Sequence, residues 1–248
     1  MLTEKTFDTG EVILNYVEGP NTNPPIVLVH GVTARWQTFR SIIPHLSSNW
    51  HLYACDLRGH GSSGRLTGTY TIPDFIHDTG LWLESILTEP CILLGHSLGA
   101  LVSFGVAAQK PALISALILS DPPLIERDNA RFAQTPLPKQ FTRLYEQATS
   151  VSTLEELLQL MKGNDPEISQ SKRNRAEQLF QADPDILASV IERRLPLGFD
   201  FEAALAGVQC PTLLLQADPT MKPALMDDDV AFAKQQLQTY THRVVEGA

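Results

Sequence analysis

The residues of this chain best suited to chemistry are Gly95-His96-Ser97-Leu98-Gly99. The apolar run 91–94 leads into them, and residues 100–108, which have the composition of a buried helix, follow. A serine between a strand and a helix sits on a sharp turn that projects its hydroxyl above the sheet edge. Glycines are needed on both sides because side chains there would collide with the neighbouring strand and helix. The spacing predicts that Ser97 is a nucleophile at the N-terminal end of a helix, the alternative being an ordinary turn serine in a chance match.

The composition is that of an ordinary globular protein. At 248 residues, 43% of them hydrophobic and 19% charged, the chain can bury the core of one large domain or of one domain with an insert. A net charge of −9 argues against nucleic acid or an anionic membrane as a partner. Cys55, Cys91 and Cys210 lie in or beside apolar runs, which predicts reduced, buried thiols. With no recognisable leader or bilayer-spanning run, we expect a cytoplasmic protein.

Apolar runs alternate with helical segments along most of the chain. After a hairpin within residues 5–17, the runs that predict strands are 26–30, 51–56, 91–94, 115–121, 210–217 and 242–246. The helical spacing of residues 36–46 and 71–87 predicts helices between them. This alternation predicts an α/β fold, a mostly parallel twisted sheet with helices on both faces.

Residues 122–206 contain no run typical of a buried strand. They contain four polar, amphipathic segments, 132–144, 153–161, 171–181 and 183–194, that predict helices. We expect them to form a helical cap inserted after the sixth strand, above the carboxyl ends of the strands, where such sheets bind ligands. The predicted core is then residues 1–121 and 207–248, and the predicted cap is residues 122–206.

Four motifs occur in a characteristic order: His30-Gly31-Val32-Thr33, Asp56-Leu57-Arg58-Gly59-His60-Gly61, the Ser97 pentapeptide, and the run from Pro211 to Asp218. Because the motifs occur in this order, the chain resembles the α/β-hydrolase superfamily over essentially its whole length. The resemblance is to the capped serine esterases and lipases of that superfamily. The resemblance implies acyl transfer through a covalent acyl-enzyme. It also implies an oxyanion hole formed by the main-chain N–H groups of Val32 and Leu98. We expect no metal and no cofactor, since no motif for either is present.

The resemblance implies an acidic residue that orients a catalytic histidine. Asp218 is the first choice, because the superfamily usually places its acid after this strand. The usual pattern has a glycine and two further residues before the acid, whereas here Ala217 directly precedes Asp218. Asp121 therefore stays an alternative, since some lipase-like members use an acid after the preceding strand. A simpler interpretation of Asp121 is a turn aspartate ahead of two prolines.

The histidine base is the missing part of the pattern. In the superfamily it follows the last strand in a Gly-His motif, and each of the seven histidines of this sequence has another structural explanation. We expect the base to lie beyond residue 248, in a longer chain. The alternative is a chain without a base, which would be nearly inert, since removing the base of subtilisin costs about a millionfold in turnover.

The predicted function is a serine hydrolase that cleaves a small ester-like or otherwise activated carbonyl substrate. Trp36, Phe132 and Phe141 are candidates for lining its acyl pocket, although aromatic side chains are more often ordinary core. Enzymes with the same motifs also catalyse carbon–carbon bond hydrolysis, lactone hydrolysis and perhydrolysis, and these reactions are the alternatives to ester hydrolysis. A serine at position 97 argues against haloalkane dehalogenases and epoxide hydrolases, which resemble this family but use aspartate there. The rival of another class is a non-catalytic, ligand-sensing pseudoenzyme.

Overall fold

The computed structural model describes residues 2–20, 24–221 and 223–247. Within them, eight strands form one sheet in the order β1-β2-β4-β3-β5-β6-β7-β8. β1 pairs antiparallel with β2 and β2 with β4, and every other neighbouring pair is parallel. The strands are β1 (Thr3–Asp8), β2 (Ile13–Glu18), β3 (Pro25–Val29), β4 (His51–Cys55), β5 (Cys91–His96), β6 (Ile114–Ser120), β7 (Thr212–Ala217) and β8 (Tyr240–Val245).

Helices connect the parallel strands. They are α1 (Ile43–Leu46), α2 (Ile72–Ile86), α3 (Leu98–Gln109), α4 (Asn129–Gln134), α5 (Leu137–Thr149), α6 (Leu154–Lys162), α7 (Gln170–Gln181), α8 (Pro184–Ile191), α9 (Phe201–Ala206) and α10 (Asp227–Gln236). Single 3₁₀ turns lie at Trp36–Phe39, Pro111–Leu113, Leu124–Arg127 and Pro219–Met221. The predicted α/β-hydrolase fold, a parallel sheet flanked by helices, is confirmed.

Burial of the central strands explains why their sequences are apolar rather than alternating. Every residue of β3 and of β4 is buried, as expected where helices cover both faces of a parallel sheet. Because parallel strands end at the same edge, the residues that follow β3, β5, β6 and β7 come together there. This edge therefore carries the loop after His30, the Ser97 turn, Asp121 and Asp218.

Two helix predictions differ from the structure. Residues 132–144 are not one helix, because α4 ends at Gln134 and α5 begins at Leu137. Thr135 precedes Pro136 and is held extended at ψ 167°, since the proline ring disfavours the helical conformation of the preceding residue. Residues 36–46 likewise form a 3₁₀ turn and the short helix α1 instead of one continuous helix.

The segment between β6 and β7 is helical. Within it α5 packs on α8 and α6 packs on α7, whereas α9 packs against α3. The division into a core and a cap at residues 122 and 206 stays a prediction. In the portion of the chain described here, no helix combines the length and the apolar character that crossing a bilayer requires.

Candidate active site

Ser97 occupies a strained turn between β5 and α3. Its backbone has φ 52° and ψ −119°, a conformation that non-glycine residues rarely adopt, and its N–H donates to Ser120 O at 2.9 Å. A Cβ on Gly95 would lie 2.2 Å from Gly99 O, and a Cβ on Gly99 would lie 2.2 Å from Val29 O. Only glycine fits at these positions, so the close approach of strand and helix fixes the turn that carries the serine.

Two main-chain N–H groups beside Ser97 are free to bind an anion. Among the described residues, neither the N–H of Val32 nor that of Leu98 has a hydrogen-bond partner. Leu98 is the first residue of α3, where unpaired N–H groups and the helix dipole favour negative charge. A Cβ on Gly31 would lie 3.0 Å from Ser97 Cβ, so the loop that carries Val32 packs directly against the serine. This arrangement can stabilise a carbonyl oxygen that gains negative charge.

Ser97 opens into a small cavity of about 70 Å³. Val32 and Leu98 also line it, as does one charged residue, Glu126. The rest of its wall is apolar and consists of Leu101, Pro123, Leu137, Phe141, Val190, Leu195 and Ala224. A space this small and mostly apolar suits a short acyl group.

Asp121 lies next to this cavity and is firmly oriented. It follows β6 with φ 49°, and its two carboxylate oxygens accept the N–H groups of Ala224 at 2.8 Å and Leu225 at 3.0 Å. It also lines a larger cavity of about 600 Å³ that shares Leu137 and Ala224 with the Ser97 cavity. A negative charge is thus held beside the space over Ser97.

Asp218 has different surroundings. Its Oδ1 accepts the N–H and the hydroxyl of Thr220, and its Oδ2 accepts the Gly247 N–H at 3.1 Å. These hydrogen bonds lower the pKa of the Asp218 carboxyl, with the Thr220 hydroxyl making the largest contribution. Asp218 lines neither of the two cavities near Ser97. Its contact with Gly247 places it beside the chain that leaves β8.

Residues 24–243 match the model of the alpha/beta hydrolase fold family. The chain belongs to this family.

Several proteins similar to this α/β hydrolase are named hydrolases. It is 32% identical over 125 residues to 2-(acetamidomethylene)succinate hydrolase of Mesorhizobium japonicum, over 50% of this chain and 45% of that protein. It is 26% identical to the monoacylglycerol lipase of Mycolicibacterium smegmatis, over 93% of this chain and 85% of that one. A crystal structure of E-2-(acetamidomethylene)succinate hydrolase superposes with a TM-score of 0.75 at 21% identity, covering 100% of this chain and 92% of the other. The match to the first of these relatives spans less than half of that protein's length.

Within the described residues, no histidine of this α/β hydrolase makes a hydrogen bond to the Ser97 hydroxyl. The nearest in sequence, His96, turns its ring towards the Ser120 hydroxyl, with Nδ1 at 3.4 Å from Oγ. The other histidines are hydrogen-bonded elsewhere or exposed on helices, and these are His30, His45, His51, His60, His77 and His242.

His30 fixes the loop that carries the Val32 N–H. Its Nε2 accepts the Leu57 N–H at 3.0 Å, so its Nδ1 carries the proton and donates to Gly31 O at 2.7 Å. His60 packs edge-on against it, with ring centroids 4.9 Å apart, and its Nδ1 donates to Arg58 O. Burial, reinforced by neighbouring imidazoles, lowers the pKa of His30 to about 4 and that of His60 to about 3. Both rings are therefore neutral at pH 7.

The two buried imidazoles predict acid sensitivity of the folded protein. Their pKa values in the folded state lie below the ordinary value of 6.5, so the unfolded chain binds more protons between about pH 6.5 and pH 4. Stability from these groups is complete above pH 6.5 and is lost as the pH falls. We expect the free energy of unfolding, measured by urea titration, to fall by about 2 kcal/mol per histidine between pH 7 and pH 5. Equal free energies of unfolding at pH 7 and pH 5 would contradict this. The matched control is His77→Gln, at an exposed position on α2, which should keep the pH dependence of the parent protein.

The loop from Asp56 to Gly61 is built into the protein interior. Asp56 Oδ1 accepts the Trp36 N–H at 2.7 Å, and a Cβ on Gly61 would collide with the Asp56 carboxylate. Arg58 is buried, and its guanidinium donates to both oxygens of Asp78 at 2.5 and 2.7 Å. These contacts hold together the loops beside the site and bring no further side chain into the Ser97 cavity.

The three aromatic candidates for the acyl pocket are placed differently. Phe141 lines the Ser97 cavity, whereas Trp36 packs in a separate core cluster with Phe39 and Ile43, and Phe132 is buried in the main core. Glu126 belongs to no motif of the sequence, yet it lines the Ser97 cavity. A signal for it exists, because it is a charged residue directly after the apolar pair Leu124-Ile125.

Proposed function

We infer that this protein is a serine hydrolase that cleaves a small ester or similarly activated carbonyl compound through an acyl-enzyme. The observation that carries the inference is the strained Ser97 at a cavity beside two unpaired main-chain N–H groups. The Ser97 hydroxyl attacks the carbonyl carbon, and the N–H groups of Val32 and Leu98 bind the oxygen as it becomes negative. The acyl group then occupies the cavity until water releases it.

Asp121 is the acid of this proposal. It adjoins Ser97 through Ser120, whose carbonyl accepts the Ser97 N–H, and its carboxylate is fixed by two main-chain N–H groups. Asp121 lines the larger cavity, which has room for an imidazole and shares Leu137 and Ala224 with the Ser97 cavity. Asp218, which contacts Gly247, is the rival acid.

The proposal requires a histidine base at the edge of the sheet that carries Ser97 and the two acids. β8 runs parallel to β7, so the chain leaving it emerges at the same edge as Ser97 and both acids. The imidazole takes the Ser97 proton during attack and later returns it to the leaving group. Every activity test below uses the protein expressed from its complete gene.

Covalent labelling tests this proposal without knowledge of the substrate. A fluorophosphonate probe should form a stable phosphonyl ester on the peptide that contains Ser97, detectable by its mass, because only an activated serine attacks phosphorus. Ser171, at the rim of a neighbouring cleft, is the internal control and should stay unlabelled. Absence of label at Ser97 in the folded protein would refute the assignment.

A non-catalytic, ligand-sensing protein is the second candidate. One observation favours it, namely that no histidine in the described residues hydrogen bonds to Ser97. Such a protein would bind small carbonyl compounds in the Ser97 cavity and release them unchanged. The labelling experiment separates the two, because a sensor without a base leaves the probe intact.

The names of the relatives suggest the breadth of chemistry available to this site. Two of them act on substituted succinates that carry an acylated amine, and another is named a lipase. Other similar proteins are named haloalkane dehalogenase and epoxide hydrolase, activities expected of an aspartate nucleophile. Since position 97 is serine, we infer acyl transfer here, with the acyl group limited in size by the cavity.

A further inference from the structure

Glu126 is an unusual side chain to find in the wall of an acyl cavity. It lies in the 3₁₀ turn Leu124–Arg127 and is only 3% exposed, yet it borders the same small space as Ser97. Burial raises the pKa of its carboxyl, while the positive charge of Arg193 opposes that shift. Buried carboxylates are kept only where they have partners.

Arg193 neutralises this carboxylate and fixes its position. One guanidinium nitrogen donates to Glu126 Oε2 and another to the Glu126 main-chain oxygen at 2.6 Å, while Nε donates to Asn129 Oδ1 at 2.8 Å. The guanidinium carbon also lies 4.0 Å from the centroid of the Phe132 ring. Arg193 has φ 61°, so the backbone is held in a strained conformation to make these contacts.

This pairing uses only one oxygen of the Glu126 carboxylate. Among the described residues, Oε1 has no hydrogen-bond partner. A ligand that fills the cavity shields this oxygen from water, and the cost of doing so is recovered when the ligand supplies a hydrogen-bond donor. Since Arg193 already balances the charge, a neutral hydroxyl or amide N–H suits the free oxygen better than a second cation does.

We propose that Glu126 is the specificity-determining residue of the acyl cavity and that the acyl group of the substrate is short and ends in a hydrogen-bond donor such as a hydroxyl. This proposal rests on the function proposed above. Ser97 and Glu126 line the same cavity, so the serine can attack the carbonyl carbon while Glu126 accepts the donor at the end of the acyl chain. The apolar residues of the same lining, which include Leu101 and Val190, suit the methylene groups of the chain.

Two nearly isosteric esters test the proposal, p-nitrophenyl 3-hydroxypropionate and p-nitrophenyl butyrate. Each kcat/KM is divided by the rate of alkaline hydrolysis of the same ester, which removes intrinsic reactivity. We expect the hydroxylated ester to be favoured about tenfold or more, because the bound alkyl ester shields Glu126 Oε1 from water without giving it a hydrogen-bond donor. The ratio does not depend on how much of a preparation is folded.

Substitutions test whether the ratio of the two normalised kcat/KM values depends on Glu126. The double variant Glu126→Leu/Arg193→Met removes both charges together, which avoids burying one of them alone, and should favour butyrate. Glu126→Gln keeps a polar group of the same shape and should retain a preference for the hydroxylated ester. Glu192→Leu, a glutamate on the neighbouring surface, is the matched control and should leave the ratio unchanged.

The outcomes separate this proposal from the proposed function. Hydrolysis of neither ester would contradict the serine hydrolase itself. Hydrolysis of both at equal normalised rates, or an unchanged ratio in the double variant, would overturn the role of Glu126 and leave the hydrolase intact.

Discussion

Ser97→Ala should lower kcat for p-nitrophenyl acetate by about a millionfold, the loss measured when the nucleophile of subtilisin is removed. Alanine keeps the Cβ and removes only the hydroxyl oxygen that forms the acyl-enzyme. No other serine or threonine borders the same cavity, according to the residues described, so no neighbouring hydroxyl can substitute. The measurement is steady-state release of p-nitrophenolate, with the acyl-enzyme followed by mass in a parallel burst experiment.

The matched control for this variant separates chemistry from folding. Ser97→Gly should be equally inactive but more stable by about 1 kcal/mol, because glycine adopts φ 52° without steric strain. Ser97→Ala should unfold at nearly the urea concentration of the parent protein, since the serine side chain has no hydrogen-bond partner among the described residues. A kcat of Ser97→Ala above about one thousandth of the parent value would contradict the assignment of Ser97 as the nucleophile.

Asp121→Asn should lower kcat by about four orders of magnitude, as the corresponding change does in serine proteases. The amide cannot hold the histidine in the correct tautomer or balance the imidazolium that forms during attack. Asparagine tolerates a positive φ, so the backbone at position 121 need not change. One of the two main-chain N–H bonds, from Ala224 or Leu225, is retained by the amide oxygen.

Asp218→Asn is the matched comparison, because it makes the same chemical change after the neighbouring strand. We expect an effect on kcat of less than tenfold, since the partners of this side chain within the described part of the chain are Thr220 and Gly247. The reverse result, a large loss at Asp218 and a small one at Asp121, would reassign the acid. Urea unfolding of both variants shows whether a loss of rate reflects lost structure.

Elements that are specified by residues close together in the sequence can be predicted from it. The strand, turn and helix around Ser97 are specified by four apolar residues, two glycines and a small-residue helix, all within 91–108. The start of α2 is similarly local, because Thr71 and Asp74 cap it reciprocally. Residues 132–144 do not form the single helix that their periodicity predicts, because Pro136 disfavours the helical conformation at Thr135.

The pocket could not be predicted because its walls come from distant parts of the chain. Phe141 reaches the Ser97 cavity and Phe132 does not, although both lie in one amphipathic stretch. Which of them does so depends on the break between α4 and α5 and on how α5 packs against α8. The Glu126–Arg193 pair joins residues 67 positions apart, and neither residue carries a motif.

The close fit of Gly31, Gly95 and Gly99 around the nucleophile has a consequence for how this protein can change. Any added side chain there meets backbone or the serine itself, so evolution towards new substrates must leave these positions untouched. Variation can instead accumulate in the helices between β6 and β7, which supply Glu126, Phe141 and Val190 to the cavity. A library randomised in that segment should yield altered selectivity, while one randomised at the three glycines should yield mostly misfolded protein.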